Sequence, residues 1–145
     1  MAPAVKKKTA SRTKKRASPA EIAPGVFVGG WKDATAFQGD RFCVLDEAPD
    51  DMPPSTHIPI YDPGADAPLR PNLDRLADAV ERARSRGGPV LIYCGMGVRR
   101  GSLGGAWYLH RIEGIPLEKA YDRVRAVRPQ IETVREWVGH VDNLD

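Results

Sequence analysis

The first half of the chain alternates short apolar runs with polar breaks, and the second half carries apolar residues at helical spacing. Three short β-rich runs come first. They are Gly25 to Gly30 (GVFVGG), Arg41 to Asp46 (RFCVLD) and, after a proline-rich loop, Thr56 to Asp62 (THIPIYD), each bounded by turn residues. The segment RPNLDRLADAVERARSRGG then places Leu73, Leu76, Ala77 and Val80 on one helical face, with Asn72 as the expected N-cap and Gly87-Gly88 as the stop. PVLIY is short and apolar throughout, the pattern of a central strand buried on both faces, and it runs into Cys94.

Beyond Cys94 the pattern is helical. SLGGAWYLHRI is apolar nearly all round, which predicts a buried helix. PLEKAYDRVRAVRP puts Leu117, Ala120, Tyr121, Val124 and Val127 on one face behind a proline start, and IETVREWVGHV does the same with Ile131, Val134, Trp137, Val138 and Val141. Helix, buried strand, loop and helix in that order predict an α/β fold with a central, mostly parallel sheet flanked by helices. Functional loops in such folds lie at the carboxyl ends of strands, where Cys94 stands.

Charge changes this picture at one end. The net charge of +3 conceals a run of seven basic residues, Lys6 to Arg16, that precedes the first acid, Glu21. The 15 basic residues that remain face 19 acids, so residues 21–145 carry about −4. Residues 1–20 lack apolar periodicity and large side chains and are expected to be a disordered basic tail; residues 21–145 are expected to form one domain. A basic arm of this kind suits an acidic partner or nucleic acid, or serves as a solubilising extension. No secretory pattern or membrane-length apolar run is present, which predicts a cytoplasmic protein.

The chain has two cysteines and three scattered histidines, so neither a disulfide framework nor a metal site is expected. Cys43, inside a strand pattern, reads as a small buried apolar residue. Cys94 opens the loop CGMGVRR between a strand and a helix. Such a turn presents unpaired N–H groups and the positive end of a helix dipole, and both favour an anion. Gly95 and Gly97 allow tight curvature and close backbone approach. The same field stabilises a thiolate, which makes Cys94 a candidate nucleophile. Arg100 is placed to grip two oxygens of a phosphoryl group in the bidentate way a guanidinium allows. The backbone of Gly95, Met96, Gly97, Val98, Arg99 and Arg100 is the expected phosphate binder. Arg99 either meets a second phosphate of a polyanionic substrate or points to solvent, the latter being favoured because surface arginines are common.

YCGMGVRRG resembles the Cys-x5-Arg signature loop of the protein tyrosine phosphatase superfamily, and GVFVGGWKDA, HIPIYD and YLHRIEGIPLEKAYDRVRAVRP resemble flanking segments of its dual-specificity branch. The resemblance implies a phosphoprotein phosphatase that forms a cysteinyl-phosphate intermediate without metal or cofactor. It also implies a general acid on a loop before the signature helix, at Asp62, with Asp66 as the reserve candidate. A carboxylic acid there would protonate the departing ester oxygen and then activate water. Three positions depart from the family pattern. Tyr93 replaces the usual histidine before the cysteine, Gly101 replaces the Ser or Thr after the arginine with Ser102 next to it, and Val134 stands where Asn is common, leaving Gln130 or Thr133 near the water site. These departures keep a phosphate-binding module with weak turnover open as an alternative, beside a phosphatase acting on RNA 5′ ends or phosphoinositides.

Overall fold

The computed structural model describes residues 19–61 and 69–138. Five strands form one sheet in the order β1-β2-β5-β3-β4: β1 Ala20–Ala23, β2 Val26–Gly30, β3 Asp40–Cys43, β4 Thr56–His57 and β5 Val90–Cys94. β1 pairs antiparallel with β2, and every other neighbouring pair is parallel. The helices are α1 (Trp31–Ala36), α2 (Leu69–Ser85), α3 (Arg100–Glu113) and α4 (Leu117–Val127), followed by a 3-10 turn at Arg135–Val138. This is the mixed α/β sheet with flanking helices that the apolar pattern predicts.

The central strand β5 is buried at all five positions, and its alternation divides the molecule into two layers. Val90, Ile92 and Cys94 face the large core formed with α2, α3 and α4, while Leu91 and Tyr93 pack with Ala34 and Cys43 on the α1 side. Cys94 is therefore delivered to the face on which α3 begins. Leu73, Leu76 and Val80 of α2 are fully buried in the larger core. Each is worth about 1.5–3 kcal/mol of hydrophobic transfer. Gly105 lets α3 approach the sheet closely and Gly104 lets it approach α2: a Cβ on Gly105 would lie 2.6 Å from Val28 Cγ2, and one on Gly104 would lie 2.9 Å from Leu76 Cδ2.

Three local expectations need correction, and one strand, β1, is not among those expected. Asn72 is not the N-cap of its helix, because α2 already runs from Leu69 and accepts Pro71 within its first turn. The buried Asn72 side chain instead donates to Pro59 O at 2.9 Å and accepts from Arg75. Regular pairing of the third predicted strand stops at His57, since Pro59 has no N–H to give, although Ile58 N and Ile60 N still donate to Cys43 O and Val44 O. The segment after Pro129 turns, runs irregularly through residues 131–134 and forms a single 3-10 turn at Arg135–Val138, burying Ile131, Val134 and Val138 with no α-helix among the described residues. The short edge strand β1, outside the three predicted runs of the first half, has too few large side chains to stand out in the pattern.

Candidate active site

β2 and β5 run in parallel register and finish side by side, Gly30 opposite Cys94. The chain then turns through Gly95 to Arg99 into α3. Gly97 has φ +70°, the left-handed region, and a Cβ there would collide with Gly29 C and O at 2.6 and 2.7 Å. Only glycine meets both demands. The turn brings the amides of Gly97 and Gly101 onto Cys94 Sγ, at 3.1 and 3.3 Å. The sulfur thus lies at the focus of donors that also suit an oxyanion, beneath the amino end of a 14-residue helix.

Above the sulfur is a cavity of about 450 Å³ lined by Leu45, Cys94, Gly95, Met96, Val98, Arg99, Arg100, Glu132 and Trp137. Five of the residues expected to bind phosphate are therefore on its wall; Gly97 lies behind it in the turn. Cys94 is only 5% exposed, at the floor, whereas Met96 is 74% exposed at the rim. The Arg100 guanidinium has two neighbours that the sequence pattern does not assign to the site: Asp46 Oδ1 at 3.4 Å and the Trp137 ring, whose centroid is 6.0 Å away. Arg99 is exposed and donates from Nε to Glu132 Oε1 at 3.1 Å, so its side chain takes the solvent-facing position with a carboxylate partner. Among the described residues, no group of three His, Cys, Asp or Glu side chains converges to hold a metal ion. Asp62, the expected general acid, and Asp66 lie outside the described residues, as does the basic tail up to Ser18.

The two departures next to the loop have distinct surroundings. The Tyr93 hydroxyl shares a 2.9 Å hydrogen bond with Ser55 Oγ, and burial pushes its pKa up. It therefore stays a neutral anchor between β5 and the loop before β4. Gly101 has no hydroxyl to offer the sulfur, and Ser102 does not substitute for one, because its Oγ donates back to Val98 O and Arg99 O. A serine hydroxyl within a helix can be taken up in this way by carbonyls of the preceding turn.

The fold is thus an α/β sheet whose central parallel strand delivers a thiol to a tight turn and a helix amino end, with two backbone amides turned onto the sulfur. Comparison with known proteins agrees. The family described as the dual specificity phosphatase catalytic domain matches residues 47–142. Dual specificity phosphatase 28 of Homo sapiens is 31% identical over 121 residues, covering 77% of this chain and 68% of the human protein. The Mus musculus counterpart is 30% identical over 123 residues, covering 78% and 75%. The crystal structure of human DUSP28 aligns with a TM-score of 0.74 at 26% identity, over 87% of this chain and 91% of that one. A mouse structure described as a dual specificity phosphatase complexed with zinc tungstate aligns with a TM-score of 0.73 at 28% identity, over 87% and 85%. The chain belongs to the dual specificity phosphatase family, and so to the cysteine-dependent protein tyrosine phosphatase superfamily.

Proposed function

We propose that the chain hydrolyses phosphotyrosine, with phosphoserine and phosphothreonine as further substrates, through a phosphoryl group carried on Cys94. The observation that carries this reading is the convergence of the Gly97 and Gly101 amides on Cys94 Sγ. Donors fixed in advance around a reacting centre need no reorganisation when charge develops there. The apolar walls given by Leu45, Met96 and Trp137 suit an aryl ring next to the phosphoryl group.

In the first step the Cys94 thiolate attacks phosphorus, an S–P bond forms, and the P–O bond to the leaving group breaks. Arg100 and the loop amides hold the equatorial oxygens, and Asp62 gives its proton to the departing oxygen. In the second step water attacks phosphorus and passes a proton to the Asp62 carboxylate. The S–P bond then breaks, restoring the thiolate and releasing inorganic phosphate.

The tests are direct. Purified protein with chelator present is expected to hydrolyse an aryl phosphate, Cys94→Ser to abolish turnover, and Asp62→Ala to slow it while inorganic phosphate still binds. A wild-type protein that binds phosphate yet turns over no aryl phosphate at any pH from 5 to 8 overturns the enzymatic reading in favour of a phosphate-binding module.

A further inference from the structure

Arg128 follows the last residue of α4, and no helical periodicity accounts for it. It is only 2% exposed, deeper than any other arginine among the described residues. Burial pulls its pKa down, and the charges of Asp33 and Cys94 oppose that pull. A guanidinium taken out of water needs anionic or carbonyl partners close by. Its partners include two carbonyls of the signature loop: Nε donates to Gly97 O at 2.9 Å and Nη2 to Met96 O at 3.0 Å.

These bonds matter because a trans peptide plane points its C=O and its N–H in opposite directions. A carbonyl held outward turns the next residue's N–H inward. Holding Met96 O outward aims the amide of Gly97 at the centre, where it meets Cys94 Sγ; holding Gly97 O outward does the same for the amide of Val98. The other loop carbonyls are fastened likewise: Gly95 O accepts from Trp31 N at 3.0 Å, and Val98 O from Glu132 N at 2.9 Å. The two middle peptides depend on the Arg128 side chain. The Asp33 carboxylate accepts from Gly30 N at 2.9 Å; burial pushes its pKa up, and its charge favours the charged form of the Arg128 guanidinium.

We propose that Arg128 is a positioning residue for the phosphatase reaction: it holds the loop from outside so that the Gly97 and Val98 amides face the phosphoryl group. The proposal rests on the reading of this loop as the phosphate site. It adds that a residue on the far side of the loop sets its affinity for the anion.

The experiment compares Arg128→Met and Arg128→Lys with the wild type and with Glu81→Gln, a substitution remote from the loop. Two readouts are used, both well below every thermal midpoint: inorganic phosphate binding by calorimetry, measured in a Cys94→Ser background, and the kcat and KM of aryl phosphate hydrolysis. Arg128→Met is expected to weaken phosphate binding about 10-fold or more and to lower kcat about 100-fold, the scale seen when one oxyanion donor is lost. Arg128→Lys, able to reach one carbonyl but not to fork across two, is expected to fall between. Glu81→Gln is expected to lose thermal stability and keep phosphate affinity. Unchanged phosphate affinity in folded Arg128→Met overturns the proposal. If that variant does not fold, unchanged affinity in Arg128→Lys does so. Since binding is scored apart from turnover, an inert wild type that binds phosphate contradicts the enzymatic reading alone.

Discussion

Asp46 stands 3.4 Å from the Arg100 guanidinium, so the arginine expected to clamp phosphate already faces a carboxylate at the mouth of the site. Asp46 is on the loop after β3, about half exposed, and Trp137 stacks near the same guanidinium. A phosphate dianion entering the loop meets this second negative charge. Two unit charges about 7 Å apart repel by roughly 2 kcal/mol at an effective dielectric constant near 20, and solvent exposure reduces that figure. Asp46→Asn is therefore expected to tighten inorganic phosphate binding about 3- to 10-fold, with the difference shrinking in high salt. Competitive inhibition of aryl phosphate hydrolysis measures it. Weaker inhibition in the variant would show that orienting Arg100 outweighs the repulsion.

Gly101 bears on the second step. A Cβ at this position would lie 3.5 Å from Val28 Cγ1, an ordinary contact, and 3.3 Å from Cys94 Sγ, tight enough that the sulfur must give by a few tenths of an ångström. Once the sulfur has made that small shift, a serine there sets a hydroxyl beside it to donate to the thiolate as the S–P bond breaks; a hydrogen bond to a charged group is worth about 1.5–3 kcal/mol. Gly101→Ser is expected to raise kcat about 10-fold at saturating aryl phosphate. Gly101→Ala, with the same Cβ and no hydroxyl, is expected to give no gain. Equal rates in the two variants would remove the hydroxyl argument.

Acid should loosen the contact between α2 and α3. Asp74, Asp78 and Glu81 lie on one face of α2 and accept from Trp107 Nε1 at 2.8 Å, Arg111 Nε at 2.9 Å and Tyr108 OH at 2.6 Å. The Arg111 bond holds Asp78 below the ordinary carboxylate range, and Arg84 followed by Tyr108 does the same for Glu81. A carboxylate depressed in the folded state contributes stability that is complete above its ordinary pKa and is lost as pH falls through the folded value. The melting temperature is thus expected to hold from pH 7 to about 5 and to fall between about 4 and 2. The double variant Asp78→Asn, Glu81→Gln should melt a few degrees lower at pH 7 and show a shallower acid decline. An identical decline in both proteins would assign the acid sensitivity elsewhere.

The signature loop is legible in the sequence because its chemistry is local: a cysteine, glycines and an arginine at fixed spacing between an apolar strand and an apolar helix. The parallel sheet is legible because β5 is apolar at successive positions. What escaped is what depends on distant packing. Nothing near Arg128 announces that it will be buried against Met96 and Gly97, more than thirty positions earlier. Asp46, just after β3, meets Arg100, just after the neighbouring β5, and Ser55, just before β4, reaches Tyr93 of β5 past the intervening β3; the sequence pattern leaves this strand order and register open. Asn72 has the residue type of an N-cap, yet its side chain was taken up by Pro59 O in a helix that starts three residues sooner. The segment after Pro129 has helical spacing but spends its backbone on the loop, Glu132 N donating to Val98 O, and so does not close into a helix.

The central claim is that Cys94, held beneath the loop amides, carries the phosphoryl group. The most direct measurement mixes the protein with a labelled aryl phosphate, quenches in acid within milliseconds and maps the label by mass spectrometry. The account predicts a phosphoryl group on Cys94, formed in a burst and absent from Cys94→Ser. Hydrolysis at an undiminished rate in Cys94→Ser, or a label on any other residue, would contradict it.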